Sequence, residues 1–389
     1  MPRQNSEGFC CRTYARAKQI QLLRKALYLR HAKVWDSHGF HMDKMANKNS
    51  HLSLCLVAPK KNFSNDKGFG VTRYCFEMAN RLKPDMIYSP KRLSLINRIF
   101  GYPSGLDNYK IIHILDTLPF KKPKRATLVV TVHDFHPFEV PELNPTDYKT
   151  IKGILGLYLV LLPGFNTAMQ ADYLISNSSQ TKSEAIKYGF PKDKIFIANL
   201  GIDERFINKP IPAKKHEAFK LGYIGALSTT RNLAYAIEAF KKISDRDIVF
   251  EIWGLKQEAY PKLLNQAKDD RRIRFTGFAP EDKLIEIYDS FDAFIMPTLY
   301  EGFCLPIYEA QARGLPVIIL SEAKIPDEAK KYCLKVNDVE EMAATIVALK
   351  NREIIVKKEM IGYAHQFTWQ RTVEQTIKAY NEIFKREGL

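Results

Sequence analysis

Short apolar runs alternate with longer stretches of helical periodicity twice along this chain, and that alternation leaves few folds open. The first series reads as strands at Leu52 to Ala58, Ile111 to Leu115, Thr127 to Val132, Tyr173 to Ser176 and Lys194 to Ala198. The second reads at Phe219 to Gly225, Ile248 to Trp253, Ile273 to Thr276, Asp292 to Met296, Pro316 to Leu320 and Tyr332 to Val336. The pattern indicates parallel βαβ units with helices on both faces of each sheet. Polar, proline-bearing residues Lys209 to Glu217 divide the two series like a linker. The expected fold is α/β: two doubly wound, Rossmann-like domains facing each other across a cleft. A length of 389 residues suits two domains that each bury a core. The expected boundaries are a basic extension over 1–50, a first domain over 51–208, a second over 209–365 and a closing segment over 366–389.

Hydrophobic and charged contents of 46% and 26% are ordinary for a globular chain, but a net charge of +16 is not. It implies attraction to phosphates, nucleic acid or an acidic membrane face, or else a generally lysine-rich surface. The segment Arg12 to Lys33 is rich in Lys, Arg and His, with Ile20, Leu23 and Leu27 at helical spacing. It reads as an amphipathic basic helix on an anionic membrane or as a loosely docked extension. The six cysteines are scattered without the paired spacing of a zinc site, and a reducing compartment is expected. The longest apolar stretch, Ile154 to Pro163, is about half of what a bilayer requires.

The densest chemical signal is Tyr300-Glu301-Gly302-Phe303-Cys304-Leu305-Pro306-Ile307-Tyr308-Glu309-Ala310. It places two carboxylates eight residues apart, joined by a glycine turn and a proline. The strand Ala293 to Pro297 precedes it, and Ile307 to Arg313 opens a helix ending at Gly314. Glu301 and Gly302 then sit on a strand-to-helix turn at the carboxyl edge of a parallel sheet, where such folds bind ligands. Backbone N–H groups there can hold phosphate, while Glu309, two helical turns on, can accept bonds from sugar or ribose hydroxyls.

Other candidates are spread along both series. Gly68 and Gly70 follow the first strand and open a helix, either as a ligand-approaching loop or as an ordinary turn. His133, followed by Asp134, ends an apolar strand, where it could contact a sugar hydroxyl or simply cap the strand. His133 and His136 lack a third partner and a good spacing for metal. Arg231, ahead of the helix Leu233 to Lys242, could clamp a diphosphate bidentately; the helix dipole there disfavours a purely structural cation. Asp245-Arg246-Asp247 falls at the amino edge of the sheet and reads as a surface turn.

Together these residues resemble the family 4 glycosyltransferases, retaining enzymes of the GT-B fold. The resemblance runs from about Leu52 to Ile383 and is most specific from Thr276-Gly277-Phe278 through Val317. Supporting matches are Arg73-Tyr74, His133-Asp134, Ser176-Asn177-Ser178-Ser179, Asn199-Leu200-Gly201-Ile202-Asp203, Arg231-Asn232, and a tail from Phe367-Thr368-Trp369 to Tyr380 like the family's closing helix. The resemblance implies that Glu309 binds the nucleotide ribose, and that Glu301 with the Gly302-Phe303-Cys304-Leu305 backbone holds the transferred sugar. It implies that Arg231 with Asn232 binds phosphate, that His133 contacts the sugar near the reacting carbon, and that Phe278 lies near the nucleobase. His133, Glu301 and Arg231 are the expected catalytic residues, with Gly68 and Gly70 beside the donor. Ala226 departs from the family, which often has a second basic residue there.

The expected activity is retaining, metal-independent transfer of a hexose from a nucleoside diphosphate sugar, such as GDP-mannose or UDP-glucose, to an acceptor hydroxyl of a glycan or lipid-linked molecule. No cofactor is expected. An inactive nucleotide-sugar-binding or membrane-docking protein of the same fold is the rival. Nucleic acid is not an expected partner. A cytoplasmic location is expected, with association to the cytoplasmic face of an anionic membrane left open.

Overall fold

The computed structural model describes residues 41–44, 53–63, 70–89, 101, 106–139, 156–213 and 218–389. The basic segment over 12–33, Gly68 and the start of the apolar stretch at Ile154 lie outside these residues. The first sheet contains β1 (His41–Lys44), β2 (Leu54–Val57), β3 (Met86–Ser89), β4 (Ile111–Ile114), β5 (Thr127–Val132), β6 (Tyr173–Ser176) and β7 (Ile195–Ile197), in the order β1-β3-β2-β4-β5-β6-β7. All pairs are parallel except β1 with β3, so part of the N-terminal extension adds an antiparallel edge. The second sheet contains β8 (Phe219–Ile224), β9 (Ile248–Trp253), β10 (Ile273–Gly277), β11 (Ala293–Met296), β12 (Val317–Leu320) and β13 (Leu334–Val336). It is wholly parallel, in the order β10-β9-β8-β11-β12-β13.

Burial explains why the strands read as continuous apolar runs. In β2, Leu54 and Leu56 enter one core while Cys55 and Val57 enter the other. In β5, Val129 faces the first core, and Leu128, Val130 and Val132 face the second. A parallel sheet covered on both faces leaves no polar alternation to read. The strand order also locates the clefts. Strand order reverses at β8 and β11 in the second sheet, and the crevice beyond the carboxyl ends of two such strands is where open α/β sheets take ligands. The loop after β8 carries Arg231 and the loop after β11 carries Glu301.

Five helices carry or buttress the candidate residues: α1 (Val71–Leu82), α2 (Ser179–Lys187), α3 (Leu233–Lys241), α4 (Leu305–Ala312) and α5 (Trp369–Glu387). The apolar stretch near Pro163 forms a π-helical turn, Leu157–Leu161, that runs into a helix over Leu162–Met169. No helix among the described residues is long and apolar enough to cross a membrane.

The last helix, α5, packs on the first sheet's domain. Its N-cap Thr368 accepts a bond from the Arg371 N–H, and Gly388 ends it in the left-handed region at φ 65°. Trp369, Val373, Thr376, Tyr380 and Ile383 form a buried stripe at helical spacing. Gly201 lies so close that a Cβ there would stand 2.1 Å from the Trp369 nitrogen, and the Thr372 hydroxyl donates to the Asn199 carbonyl at 2.7 Å. Deeper in, the Tyr380 hydroxyl meets His113 Nδ1 at 2.5 Å, and His113 Nε2 meets Thr131 Oγ1 at 2.7 Å. Thr131 in turn meets the Tyr74 hydroxyl of α1 at 2.9 Å. Burial lowers the His113 pKa to about 3, so the ring is a neutral hydrogen-bonding tie at neutral pH.

Removing the phenol should therefore strand a buried imidazole nitrogen. Tyr380→Phe is expected to destabilise the protein by about 1–3 kcal/mol, the usual cost of an orphaned buried polar group. A lowered urea midpoint with an unchanged slope measures it, and an unmoved midpoint contradicts the tie.

Candidate active site

The two loops at the second sheet's reversal point are stitched together before any side chain meets. The Leu299 N–H and the Thr298 hydroxyl both point to the Thr230 carbonyl, at 3.4 and 3.3 Å. Thr229–Arg231 is a tight 3₁₀ turn, and Asn232, left-handed at φ 50°, redirects the chain into α3. This delivers the Arg231 guanidinium onto the Glu301 carboxylate as an ion pair. The expected diphosphate clamp thus has an acidic neighbour: Arg231 pairs with Glu301, the other candidate catalytic charge. The sequence could not show it, because seventy residues separate them.

Helix α4 begins at Leu305, two residues earlier than its sequence suggested. Cys304 takes a left-handed conformation at φ 70° just before it, and Pro306 falls in its first turn, where a missing N–H costs nothing. Glu309 consequently stands little more than one turn into the helix instead of in its first residues. It is half-buried, and the Tyr288 hydroxyl donates to its Oε2 at 2.7 Å. Burial, with smaller contributions from Asp203 and Glu281, raises its pKa to about 7. Tyr288 had no sequence signal of its own.

Between these carboxylates the chain offers backbone, not side chains. Phe303 is buried and stacked on Tyr308, with ring centroids 4.8 Å apart. Cys304 is buried too, and burial pushes its thiol up to about 12, which excludes a thiolate nucleophile at neutral pH. Gly302 is pressed against the first domain: a Cβ there would lie 2.0 Å from the His133 carbonyl oxygen. Leu305 is partly buried against the second domain's core.

The backbone of His133 thus meets the Glu301 turn. Its Nε2 lies 2.9 Å from the Leu115 carbonyl, which can only accept, so Nε2 carries a proton and a neutral ring presents Nδ1 as an acceptor. Tyr74 packs edge-on at 4.9 Å, and Asn177 Nδ2 donates to the His133 carbonyl at 2.8 Å. His136 does not join it as a ligand pair; its N–H bonds Asp134 at 3.1 Å in a turn, and its ring lies edge-on to Tyr300. Gly70 opens α1 at φ 57°, exposed, with nothing within 4 Å of where its Cβ would be. Phe278, 48% exposed, follows Gly277 at the end of β10. The same stretch carries Glu281, which pairs with Arg73 of α1 at 2.9 Å and so links the two domains on that side.

Residues 218–352 match the family described as Glycosyl transferases group 1. The O-antigen chain mannosyltransferase B of Escherichia coli is 26% identical over 274 residues, covering 65% of this chain and 69% of that protein. The amylovoran biosynthesis glycosyltransferase AmsK of Erwinia amylovora is 22% identical over 352 residues, covering 85% and 81%. Among solved structures, Anabaena HepE in complex with UDP and glucose superposes with a TM-score of 0.63 at 14% identity, covering 85% of this chain and all (100%) of that one. Sucrose-phosphate synthase of Thermosynechococcus elongatus gives 0.61 at 14% identity, covering 86% and 99%. The second domain matches the group 1 glycosyltransferases, and the two-domain fold is that of solved GT-B glycosyltransferase structures. In this GT-B fold the loops after β8 and β11, helix α4 and the turn after β5 carry Arg231, Glu301, Glu309 and His133 respectively.

Glu309 also gives a stability signature. Its folded pKa is raised above the unfolded carboxyl value of about 4.3. Between those values the folded state holds a proton that the unfolded chain has released, so stability falls as pH rises from about 4.5 to 7. Glu184, raised to about 7 chiefly by burial, adds to the same fall. Glu309→Gln removes its share of the burial penalty. The stability gain of the variant over wild type should grow by about 2 kcal/mol between pH 5 and pH 8. Urea midpoints at the two pH values measure it; a difference independent of pH contradicts the assignment.

Proposed function

We propose that this glycosyltransferase moves a hexose from a nucleoside diphosphate sugar to an acceptor hydroxyl of a glycan or lipid-linked molecule, with retention and without a metal. The observation that carries the reading is the Arg231–Glu301 ion pair at the second sheet's reversal point, just ahead of the helix that carries Glu309 and seated against the His133 backbone. The mannosyltransferase and HepE relatives support the donor class. On this reading the diphosphate lies against the α4 N-terminus and Arg231, whose guanidinium has five N–H donors and so can serve an anion beside Glu301. Glu309 accepts from the ribose hydroxyls. Glu301 and His133 Nδ1 accept from hydroxyls of the transferred sugar.

Departure of the nucleoside diphosphate develops the largest charge of the reaction, and a fixed guanidinium stabilises it without reorganisation. The donor C1–O bond breaks and the acceptor oxygen attacks the same face, its proton passing to the leaving phosphate. No side chain near the turn supplies a neutral-pH thiolate for a covalent route, since Cys304 stays protonated. Closure of the two domains around the donor keeps water from competing with the acceptor.

The test is nucleoside diphosphate release from UDP-glucose and GDP-mannose in the presence of pooled glycan and lipid-linked acceptors. Glu309→Ala and Arg231→Ala should each lower kcat/KM by roughly 30- to 1000-fold, on the order of 2–4 kcal/mol of lost transition-state stabilisation. Turnover within about threefold of wild type for both variants contradicts the reading. Calorimetric binding of UDP or GDP with no nucleotide release under any acceptor favours the rival, a nucleotide-sugar-binding protein of the same fold that does not transfer.

A further inference from the structure

Glu184 is a carboxylate of α2 with only 7% of its surface exposed, and nothing in the transfer step uses it. A buried carboxylate is costly unless its partners satisfy it. Both of its partners lead to the Glu301 turn of the other domain. The Tyr300 hydroxyl lies 2.6 Å from Glu184 Oε2, and the Gln180 amide nitrogen lies 3.1 Å from Glu184 Oε1. That same Gln180 nitrogen lies 3.2 Å from the Glu301 carbonyl.

The direction of the tyrosine bonds is fixed. The Phe135 N–H donates to the Tyr300 oxygen at 3.0 Å, so the single phenolic proton goes to Glu184. Tyr300 immediately precedes Glu301, and Phe135 is two residues beyond His133. One buried phenol therefore ties together the two backbones that carry the facing candidate residues. The seat is tight, because Gly302 rests on the His133 carbonyl with no room for a side chain. Thr181, also on α2, reaches both carbonyls, at 3.4 Å to His133 and 3.5 Å to Gly302.

We propose that Tyr300 and Glu184 are positioning residues: the phenol, held by the buried carboxylate, sets where the Glu301 turn stands against the His133 turn. The proposal rests on the transfer reading. The transfer reading assigns neither residue a donor contact, so their loss should act on turnover and not on nucleotide binding. Small displacements of reacting groups are enough to cost catalysis heavily.

The experiment uses the full chain and begins with wild-type nucleotide release from the donor it accepts. Tyr300→Phe should lower kcat by roughly 30-fold or more while the calorimetric Kd for UDP or GDP stays within about threefold. Glu184→Ala should match it, and the double variant should be no worse than either single one. Glu184→Gln keeps an acceptor for the phenol and should restore most of the turnover. Near-UV circular dichroism establishes that each variant is folded; should Tyr300→Phe not fold, the Glu184→Ala and Glu184→Gln pair decides. Wild-type kcat in Tyr300→Phe, parallel loss of kcat and nucleotide affinity, or multiplying losses in the double variant overturn the proposal. A wild-type chain that releases no nucleotide from any donor removes the transfer reading, and this proposal falls with it.

Discussion

The His133 carbonyl oxygen is the point on which the two domains close. It accepts from the Asn177 amide at 2.8 Å, and it lies where a Cβ on residue 302 would have to go. Any residue larger than glycine at 302 would drive the second domain away from the first. Around this contact the interface is polar and specific. Ser179 gives its N–H and hydroxyl to Glu328 at 2.9 and 2.6 Å, and the Lys324 ammonium reaches the Glu139 carbonyl at 3.2 Å. On the other side Arg73 spans Glu77, Asp203 and Glu281. The solvent-exposed contacts among these, such as Lys324 on the Glu139 carbonyl, contribute little stability individually. What they contribute here is register, holding the carboxyl edges of the two sheets face to face.

That register decides what the charges can do. Arg231 and Glu301 neutralise one another, so the loop pair is held together by its own electrostatics. On the proposed reading, an arriving diphosphate meets a guanidinium that is already oriented and partly desolvated, so less ordering remains to be done on binding. The absence of a basic side chain at Ala226 matters less in that arrangement. Its carbonyl is instead held by the Tyr223 hydroxyl at 2.9 Å, and Gly254 packs on the neighbouring Gly225 carbonyl, where a Cβ would lie 1.7 Å away. That turn is thereby kept narrow by close backbone contacts.

Much of the frame was legible in the sequence, because doubly covered parallel strands announce themselves as apolar runs. β5, β6 and β9 fall where the pattern put them. β3 did not stand out: it is four residues long, follows Lys83-Pro84-Asp85, and buries only alternate positions. The start of α4 was misplaced because Cys304 adopts a conformation that non-glycine residues rarely take, so nothing in its identity marks a helix cap. At the site, the carboxylate pair and Arg231 were legible as residue types at suggestive spacings. Their partners were not. Arg231 with Glu301, Tyr288 with Glu309 and Tyr300 with Glu184 join positions far apart in sequence, and only the fold brings them together.

Glu184, buried, and Glu309, half-buried, share a design with a physical consequence. Each is held by a tyrosine hydroxyl, Glu309 by Tyr288 and Glu184 by Tyr300, not by a cation. A guanidinium partner would favour the ionised carboxylate and would lose most of its attraction once that group took up a proton. A phenol donates equally to a carboxylate oxygen or to the carbonyl oxygen of a neutral carboxyl group, and the tyrosines themselves keep their protons because burial raises Tyr288 and Tyr300 further above the ordinary phenol range. The positions of the two glutamates are therefore insensitive to pH near neutrality even though both titrate there, at about 7. Geometry and charge are separated: protonation alters how strongly Glu309 can accept a hydroxyl without moving it, and leaves the seat of the Glu301 turn where Glu184 and Tyr300 set it.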